Sequence, residues 1–199
     1  MNFLAHIYLS GNDKAVKVGN FMADSIRGKK YLDYDTGIQK GIVLHRFIDT
    51  YTDAHPVFRQ STKRLHHNYS HYSGVIVDIY YDHFLAKNWA EYSKEPLLDY
   101  TLDFYTTLNE YYHVLPLHVK KFMPYMIADN WLYSYAQPEG IARVLQGMNR
   151  RTKNRVGMHE AIDDLMVHYV DFENEFRIFF EDLREHSISK LKALNNQYL

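Results

Sequence analysis

Four stretches in the first ninety residues each place two polar side chains four positions apart among apolar neighbours. The pairs are Asn2 and His6, Asn20 and Asp24, His45 and Asp49, and Asp78 and Asp82, the last followed directly by His83. Residues four apart on an α-helix share a face, so each pair would point in one direction. A buried carboxylate without a partner is very costly, and Asp78 stands between Val77 and Ile79. The pattern predicts a centre at which carboxylates and imidazoles meet.

Carboxylate and imidazole ligands together suit Mn²⁺, Fe²⁺, Zn²⁺ or Mg²⁺. Such an ion lowers the pKa of a bound water toward neutrality and polarises a phosphoryl oxygen. The chain has no Cys and lacks the patterns GxSxG, GxxxxGK[ST] and GxGxxG, so a serine or thiolate nucleophile and a Gly-rich phosphate loop are not indicated. We therefore expect a metal-activated water, with Arg27, Arg46 and Arg59 available to grip phosphate oxygens.

Each pair also has a purely structural interpretation. His45 alone could be a core histidine with satisfied hydrogen bonds, and Asn20 could bind backbone. Asp49 could form a salt bridge with Arg46 or Arg59. On this interpretation the protein would be a non-enzymatic helical adaptor that carries no metal. Because it requires four separate coincidences, we favour a metal or acid/base centre.

The segments that carry these pairs show the 3.6-residue apolar period of helices. Helices are predicted over about 2–9, 13–27, 36–52, 54–68, 74–92, 96–112, 116–136 (interrupted near Pro124), 138–149 and 158–194. Asp53 is expected to cap the helix that begins near Pro56, and Ser73 the helix at 74–92. The segment VIVDIYY has strand-like composition, but its continuation DHFLAKNWAEY favours a helix. We predict an all-α fold, a single compact domain over residues 1–199, with the metal site in 1–90 and helical scaffold in 91–199.

Composition limits the class of protein. The 199 residues are 46% hydrophobic and 24% charged, as in ordinary globular domains. No run of eighteen apolar residues is long enough for a membrane span, and the start MNFLAHIYLS does not have the form of a secretory signal. We expect a soluble, cytoplasmic protein. The net charge of −1 gives no general attraction to nucleic acid.

Charge is distributed unevenly. Residues 20–65 carry eight Lys or Arg against five Asp, whereas residues 160–185 carry nine acids against two Arg. Two solvated helix faces would explain this distribution. The alternative is a basic rim around an anionic substrate.

The same segments resemble the acyl carrier protein phosphodiesterase family. The stretches that carry the resemblance are MNFLAHIYLS, GNFMADSIRG, GIVLHRFIDTYTDAHPVFRQS and VDIYYDHFLAKNW, with weaker similarity in DNWLYSYA and VLQGMNRRTK. The family is regarded as a distant relative of the HD-domain phosphohydrolases, so the resemblance implies an HD-domain-like fold. It implies hydrolysis of the phosphodiester between the carrier-protein serine and 4′-phosphopantetheine, releasing apo carrier protein and 4′-phosphopantetheine. Mn²⁺ is the implied metal, with Mg²⁺, Fe²⁺ and Zn²⁺ as alternatives.

The resemblance and the helix pattern together give a candidate site. The expected metal ligands are His6, Asp24, His45, Asp78 and Asp82. The expected catalytic residues are Asp24, Asp49, His83 and Arg46, and the expected substrate-binding residues are Arg27, Arg59, Lys63 and Arg64. The HD signature has adjacent His and Asp in that order, whereas here the adjacent pair is Asp82–His83 and His45 is separated from Asp49. The ligand set and the number of ions therefore stay open.

The implied substrate suggests a use for the basic residues. Acyl carrier proteins are acidic helical bundles, and a basic surface would steer them to the site. Its candidate residues are Lys29, Lys30, Arg59, Lys63, Arg64, Arg150 and Arg151. Four aromatic residues are candidates for a slot that holds the pantetheine arm, although core positions explain them better: Tyr80, Tyr81, Trp89 and Trp131. An HD-type nucleotide or small-molecule phosphohydrolase is the alternative function, and the oligomeric state is open.

Overall fold

A computed structural model describes residues 2–197, and among these residues the chain is helical throughout, with no strand. The helices are α1 (Phe3–Leu9), α2 (Lys14–Met22), α3 (Thr36–Ala54), α4 (Pro56–Tyr69), α5 (Ser73–Lys87), α6 (Trp89–Tyr92), α7 (Leu97–Glu110), α8 (Leu117–Ala128), α9 (Trp131–Ser134), α10 (Pro138–Arg151), α11 (Ala161–Val167) and α12 (Tyr169–Gln197). Short 3-10 turns cover Ala23–Ser25, Lys30–Asp33, Ser70–Tyr72, Tyr112–Val114 and Met158–Glu160. The all-α, single-domain prediction is confirmed, and VIVDIYY lies within α5.

Two predicted caps are wrong. Helix α3 continues through Asp53 to Ala54, and His55 is the N-cap of α4. The His55 Nδ1 accepts from the backbone N–H of Val57 at 3.3 Å, and Pro56 occupies the first helical position. Ser73 is already inside α5, and its hydroxyl donates to the Ser70 carbonyl at 2.7 Å. Both helices therefore start within two residues of the predicted position, but with other capping groups.

Several predicted helix boundaries also differ. The helix expected over 13–27 ends at Met22 and is followed by the 3-10 turn Ala23–Ser25. The helix expected over 74–92 divides at Asn88 into α5 and α6, and the helix expected over 158–194 divides at His168 into α11 and α12. Conversely, α8 runs through Pro124 without the expected break. A proline removes one helical hydrogen bond, which costs about 3 kcal/mol in a helix interior. Here Pro124 is exposed, whereas Met123 and Met126 are buried in the core, and their burial offsets that cost.

Helices α2 and α3 approach each other closely, and glycine makes this approach possible. A Cβ added to Gly19 would lie 2.2 Å from the Ile38 carbonyl oxygen, and one added to Gly41 would lie 2.2 Å from the Val16 carbonyl oxygen. No side chain fits at such distances, so the two backbones are in direct contact there. This contact sets the position of the functional residues that follow on each helix, Asn20 on α2 and His45 on α3.

The long helix α12 joins both halves of the chain into one core. Its buried aromatic residues pack against α5, with ring centroids 5.0 Å apart for Phe172 and Tyr80 and 5.3 Å apart for Phe179 and Tyr81. Its acidic side chains bind cations of the first half: Glu175 pairs with an α4 arginine and Glu173 with Lys87. The uneven charge along the sequence is therefore used, in part, for ion pairs between helices.

Among residues 2–197, no helix is both long enough and apolar enough to cross a membrane.

Candidate metal centre

Helices α1 and α3 bring together three side chains that could hold a metal ion. Ligand atoms of His6, His45 and Asp49 all lie within 4.8 Å of one another. The Asp49 carboxylate lies between the imidazoles, with its Oδ1 3.2 Å from His6 Nε2 and its Oδ2 2.9 Å from His45 Nε2. The two rings are stacked, with centroids 4.0 Å apart. Two predicted ligands, His6 and His45, are thus in contact with Asp49, for which a catalytic role was predicted.

Asp24 adds a fourth possible ligand. It lies in the 3-10 turn after α2, and its Oδ1 is 3.1 Å from His45 Nε2. Its side chain is 79% exposed, whereas those of His6 and His45 are buried. The four groups therefore form a site with a buried imidazole side and a carboxylate side that is exposed to solvent.

Asn20 fixes which nitrogen of His45 faces the site. The Asn20 Nδ2 donates to the His6 carbonyl and to the Ser10 hydroxyl, both at 2.9 Å. The Ser10 hydroxyl donates its own hydrogen to the His6 carbonyl, so it accepts from Asn20. The amide oxygen of Asn20 is therefore the atom that faces His45 Nδ1, at 3.1 Å, and accepts its proton. With Nδ1 protonated, Nε2 is left to bind a proton or a cation among the carboxylates.

The electrostatics of the cluster place a proton on His45. Burial opposes its charge, but hydrogen bonds to Asp24 and Asp49 outweigh that effect and raise the pKa of His45 to about 9. For His6, burial and the neighbouring His45 charge lower the pKa to about 4. Burial would raise the pKa of Asp49, yet hydrogen bonds from the two imidazoles hold it well below its usual range. The hydrogen bond to His45 likewise lowers the pKa of Asp24. One positive charge among two carboxylates thus already occupies the position that suits a divalent ion.

Asp78 and Asp82, both predicted as ligands, have different surroundings. Asp78 is half-buried and lines the same cavity as His6, His45 and Asp24, and burial raises its pKa to about 6. Its role as a ligand stays a prediction.

Asp82 requires a correction. It is fully buried, and its two oxygens accept from the backbone N–H groups of Leu4 at 2.7 Å and Ala5 at 3.0 Å. Burial raises its pKa to about 7, and these two hydrogen bonds oppose the rise. A carboxylate at the first turn of a helix satisfies amide groups that have no partner within the helix. Asp82 therefore holds α1, and with it His6, instead of taking part in the cluster.

His83, predicted as catalytic, lies outside the cluster as well. It is buried, its Nδ1 is 2.7 Å from the Tyr135 carbonyl, and its Nε2 is 2.7 Å from the Tyr169 hydroxyl. Successive helical residues diverge by about 100° around the axis, so the residue after Asp82 faces a different neighbour. His83 connects α5 to α12 and to the residue after α9, which is a structural role.

Two of the four predicted substrate-binding cations have other partners, and none of the four lines the cavity at the cluster. Arg64 forms a two-pronged ion pair with Glu175, with both distances 2.7 Å. Arg59 donates to the Asp53 carbonyl. Lys63 and Arg27 are exposed, but neither lines the cavity at the cluster.

Arg46, predicted as catalytic, holds the segment that follows Asp24. Its guanidinium donates to the carbonyls of Ile26 at 3.1 Å and Gly28 at 2.8 Å, and it stacks over the Tyr31 ring at 5.0 Å. It therefore holds the segment that follows Asp24, and it does not line the cavity at the cluster.

A cavity of about 760 Å³ opens directly onto the cluster. Its walls combine apolar side chains of α1, α2, α5, α9 and α10: Phe3, Phe21, Val75, Ile79, Trp131, Val144 and Met148. Three arginines from α10 also line it: Arg143, Arg150 and Arg151. The cavity thus has a carboxylate–imidazole centre, an apolar wall and a basic side. Of the four aromatic residues considered for the pantetheine slot, only Trp131 lines it.

Sequence reasoning missed two parts of this site. The orienting role of Asn20 follows from its amide contacts, although its position four residues before Asp24 had marked it. Of the three α10 arginines, Arg150 and Arg151 were expected only on the docking surface and Arg143 was not singled out, because the second half of the chain was treated as scaffold. The spacing of Arg143, Arg150 and Arg151 on one helix is the signal that could have found them, since residues seven apart share a face.

The chain is similar to one family of known proteins along nearly its whole length. The family model described as acyl carrier protein phosphodiesterase matches residues 1–183. Among curated relatives named acyl carrier protein phosphodiesterase, the protein of Photorhabdus laumondii subsp. laumondii is 30% identical over 96% of each chain. The protein of Klebsiella pneumoniae strain 342 is 32% identical over 92% of this chain and 95% of its own. No solved structure matches, so the HD-domain likeness stays a prediction.

Proposed function

The chain belongs to the acyl carrier protein phosphodiesterase family, and from this premise we propose that it hydrolyses the phosphodiester that joins 4′-phosphopantetheine to the carrier-protein serine. The observation that carries the proposal is the opening of the His6–His45–Asp24–Asp49 cluster into a partly apolar cavity of about 760 Å³. The products would be apo carrier protein and 4′-phosphopantetheine.

The donor set fits a divalent ion. Two imidazoles and two carboxylates combine borderline and hard ligands, which suits Mn²⁺, Fe²⁺ or Zn²⁺ better than an all-oxygen site would, and we propose Mn²⁺. His6, His45, Asp49 and Asp24 would hold it. When bound, such an ion supplies Lewis-acid polarisation of the phosphoryl group and makes water a nucleophile near neutral pH.

Residues of the chain itself would prepare this chemistry. Asn20 keeps the Nδ1 of His45 protonated, so that Nε2 faces the carboxylates. Asp82 holds the α1 turn that presents His6. The apolar wall around Phe3 and Trp131 would receive the pantetheine arm, which has both alkyl and amide groups, and would exclude water from around it.

Asp78 is our candidate for the proton that the leaving serine oxygen requires. It lines the cavity, and its pKa of about 6 lets it keep a proton where an ordinary Asp has lost it. The variant Asp78→Asn separates this role from that of a ligand. Lost turnover with unchanged Mn²⁺ affinity supports the proton donor, whereas a large loss of Mn²⁺ affinity supports the ligand predicted from the sequence.

The proposed function is tested by incubating metal-stripped protein with holo acyl carrier protein, with and without Mn²⁺, and measuring the intact mass of the carrier protein. We expect loss of the phosphopantetheine mass only with metal. Asp49→Asn should abolish this loss, and Asp53→Asn, an exposed residue one turn further along the same helix, should not.

An unchanged carrier protein, in the presence of folded and Mn²⁺-loaded enzyme, would refute the proposal. Hydrolysis of nucleotides or small phosphodiesters by that same preparation would then establish the alternative, an HD-type phosphohydrolase acting on small molecules. The expected cytoplasmic location stays a prediction.

A further inference from the structure

The basic side of the cavity lies on one helix and the loop after it. From Gly140 to Met158 the sequence contains five Arg or Lys and no Asp or Glu. Three of the five line the cavity: Arg143, Arg150 and Arg151. We call these three the α10 basic surface. Its position beside the metal-binding cluster distinguishes it from basic residues elsewhere on the protein.

The arginines of this surface are available for a partner. All three are exposed, and none forms an ion pair with another of the described residues 2–197. Most other arginines are engaged: Arg64 binds Glu175, Arg177 binds Glu91, and Arg184 binds Glu181. Like charges without counter-charges repel one another, so three exposed arginines that line one cavity favour an anionic partner.

The loop after α10 is fixed to the helix by one buried side chain. Asn149 donates to Asn154 Oδ1 and to His159 Nδ1, both at 3.0 Å, and accepts from the Met158 N–H at 3.1 Å. Lys153 and Asn154 adopt the left-handed backbone conformation that this tight return requires. The loop basic residues are therefore held near the end of α10, so little ordering would be needed when a partner binds.

We propose that the α10 basic surface docks the acidic carrier protein and aligns its prosthetic group with the cavity. This proposal rests on the proposed function, because it takes the carrier protein as partner. Of the docking surface expected from the sequence, the proposal keeps Arg150 and Arg151 and adds Arg143. It leaves out Lys29, Lys30, Arg59, Lys63 and Arg64, which do not line the cavity, and Glu175 neutralises Arg64. Charge complementarity at the rim gives steering and orientation, whereas the apolar wall and the metal centre act on the arm.

The test is binding of apo acyl carrier protein, the product, because its affinity can be measured without any hydrolysis. The full-length variant R143E/R150E/R151E should weaken the affinity at least about tenfold and flatten its dependence on salt concentration. The control K29E/K30E/K63E changes the net charge equally at exposed positions that do not line the cavity, and should leave the affinity within about twofold at matched ionic strength.

Each outcome is decisive. Weaker binding by the arginine variant alone supports the α10 basic surface. Equal weakening by both variants would reflect net charge only and would overturn the proposal. Weakening by the control alone, unchanged affinity in both variants, or no saturable binding by the wild-type protein would overturn it as well. A wild-type protein that binds through these arginines but leaves holo carrier protein intact would refute the hydrolysis and keep the docking surface.

Discussion

Removal of the Asn20 side chain should weaken both the fold and the metal site. Asn20 is fully buried and makes three side-chain hydrogen bonds, to the His6 carbonyl, the Ser10 hydroxyl and His45 Nδ1. A typical intramolecular hydrogen bond contributes about 0.5–1.5 kcal/mol net, so Asn20→Ala should lower the free energy of unfolding by about 2–4 kcal/mol. For a domain of this size that corresponds to a fall in Tm of about 5–15 °C.

The effect on metal binding has a separate cause. Without the Asn20 amide oxygen, nothing fixes the proton on His45 Nδ1, and the imidazole can present the wrong nitrogen to the carboxylates. Loss of such an outer partner typically lowers metal affinity about 10–100-fold. We therefore expect weaker Mn²⁺ binding by Asn20→Ala, measured by isothermal titration calorimetry on folded protein at a temperature well below its Tm.

Ser10→Ala is the matched control. It removes the hydroxyl that bonds to Asn20 and to the His6 carbonyl, but it leaves the contact between Asn20 and His45 in place. We expect a lower Tm with Mn²⁺ affinity within about threefold of wild type. An equal loss of affinity in both variants would show that general loosening of α1 and α2 is responsible, and unchanged affinity in Asn20→Ala would refute the orienting role outright.

Three other perturbations test the remaining parts of the site. Asp82→Ala removes the acceptor of two α1 amides and should lower Tm by roughly 5–15 °C. Amide hydrogen exchange should become faster in α1 than in the other helices, and an equal increase in all helices would refute the local role of Asp82. Gly41→Ala forces a Cβ against the α2 backbone and should lower the free energy of unfolding by about 1–3 kcal/mol or more. The control Gly74→Ala, which has open space around the added Cβ, should leave that free energy unchanged in the same denaturant titration. Because the pKa of His45 is about 9, metal binding at pH 7.5 should release about one proton, seen as calorimetric enthalpies that vary with the buffer; no buffer dependence would contradict this protonation state.

The same histidine determines how the stability of the metal-free protein changes with pH. His45 has a folded-state pKa above its ordinary value of 6.5, so its contribution to stability is complete below pH 6.5 and is lost as the pH rises through about 9. Asp49 behaves oppositely, since its lowered pKa gives stability that is present above its ordinary value and lost in strong acid.

Much of the fold was predictable because helical period dominates this sequence. The first helix, α4 and α7 each begin and end within two residues of expectation. Helix ends set by tertiary contacts were not predictable. Asn88 ends α5 where its amide donates to Glu173 on α12, and α8 passes through Pro124 because Met123 and Met126 are held in the core.

For the site, spacing on single helices identified the side chains but not their partners. The i, i+4 pattern of His45 and Asp49 does place both at one point, 2.9 Å apart. The same pattern on α5 put Asp78 in the cavity and Asp82 on the amides of α1, because that helix packs against different neighbours at each turn. Which charged groups would be neutralised, as Arg64 is by Glu175, depends on a contact between residues 111 positions apart, which no local pattern encodes.

The most direct test of the proposed hydrolysis is the reaction of holo acyl carrier protein in ¹⁸O-labelled water, with both products weighed by mass spectrometry. We expect one ¹⁸O in the released 4′-phosphopantetheine, an unlabelled apo carrier protein with its serine restored, and no reaction after removal of metal. Label in the carrier serine, a dehydroalanine in its place, or an unchanged carrier protein would contradict attack of water on the phosphorus at this centre.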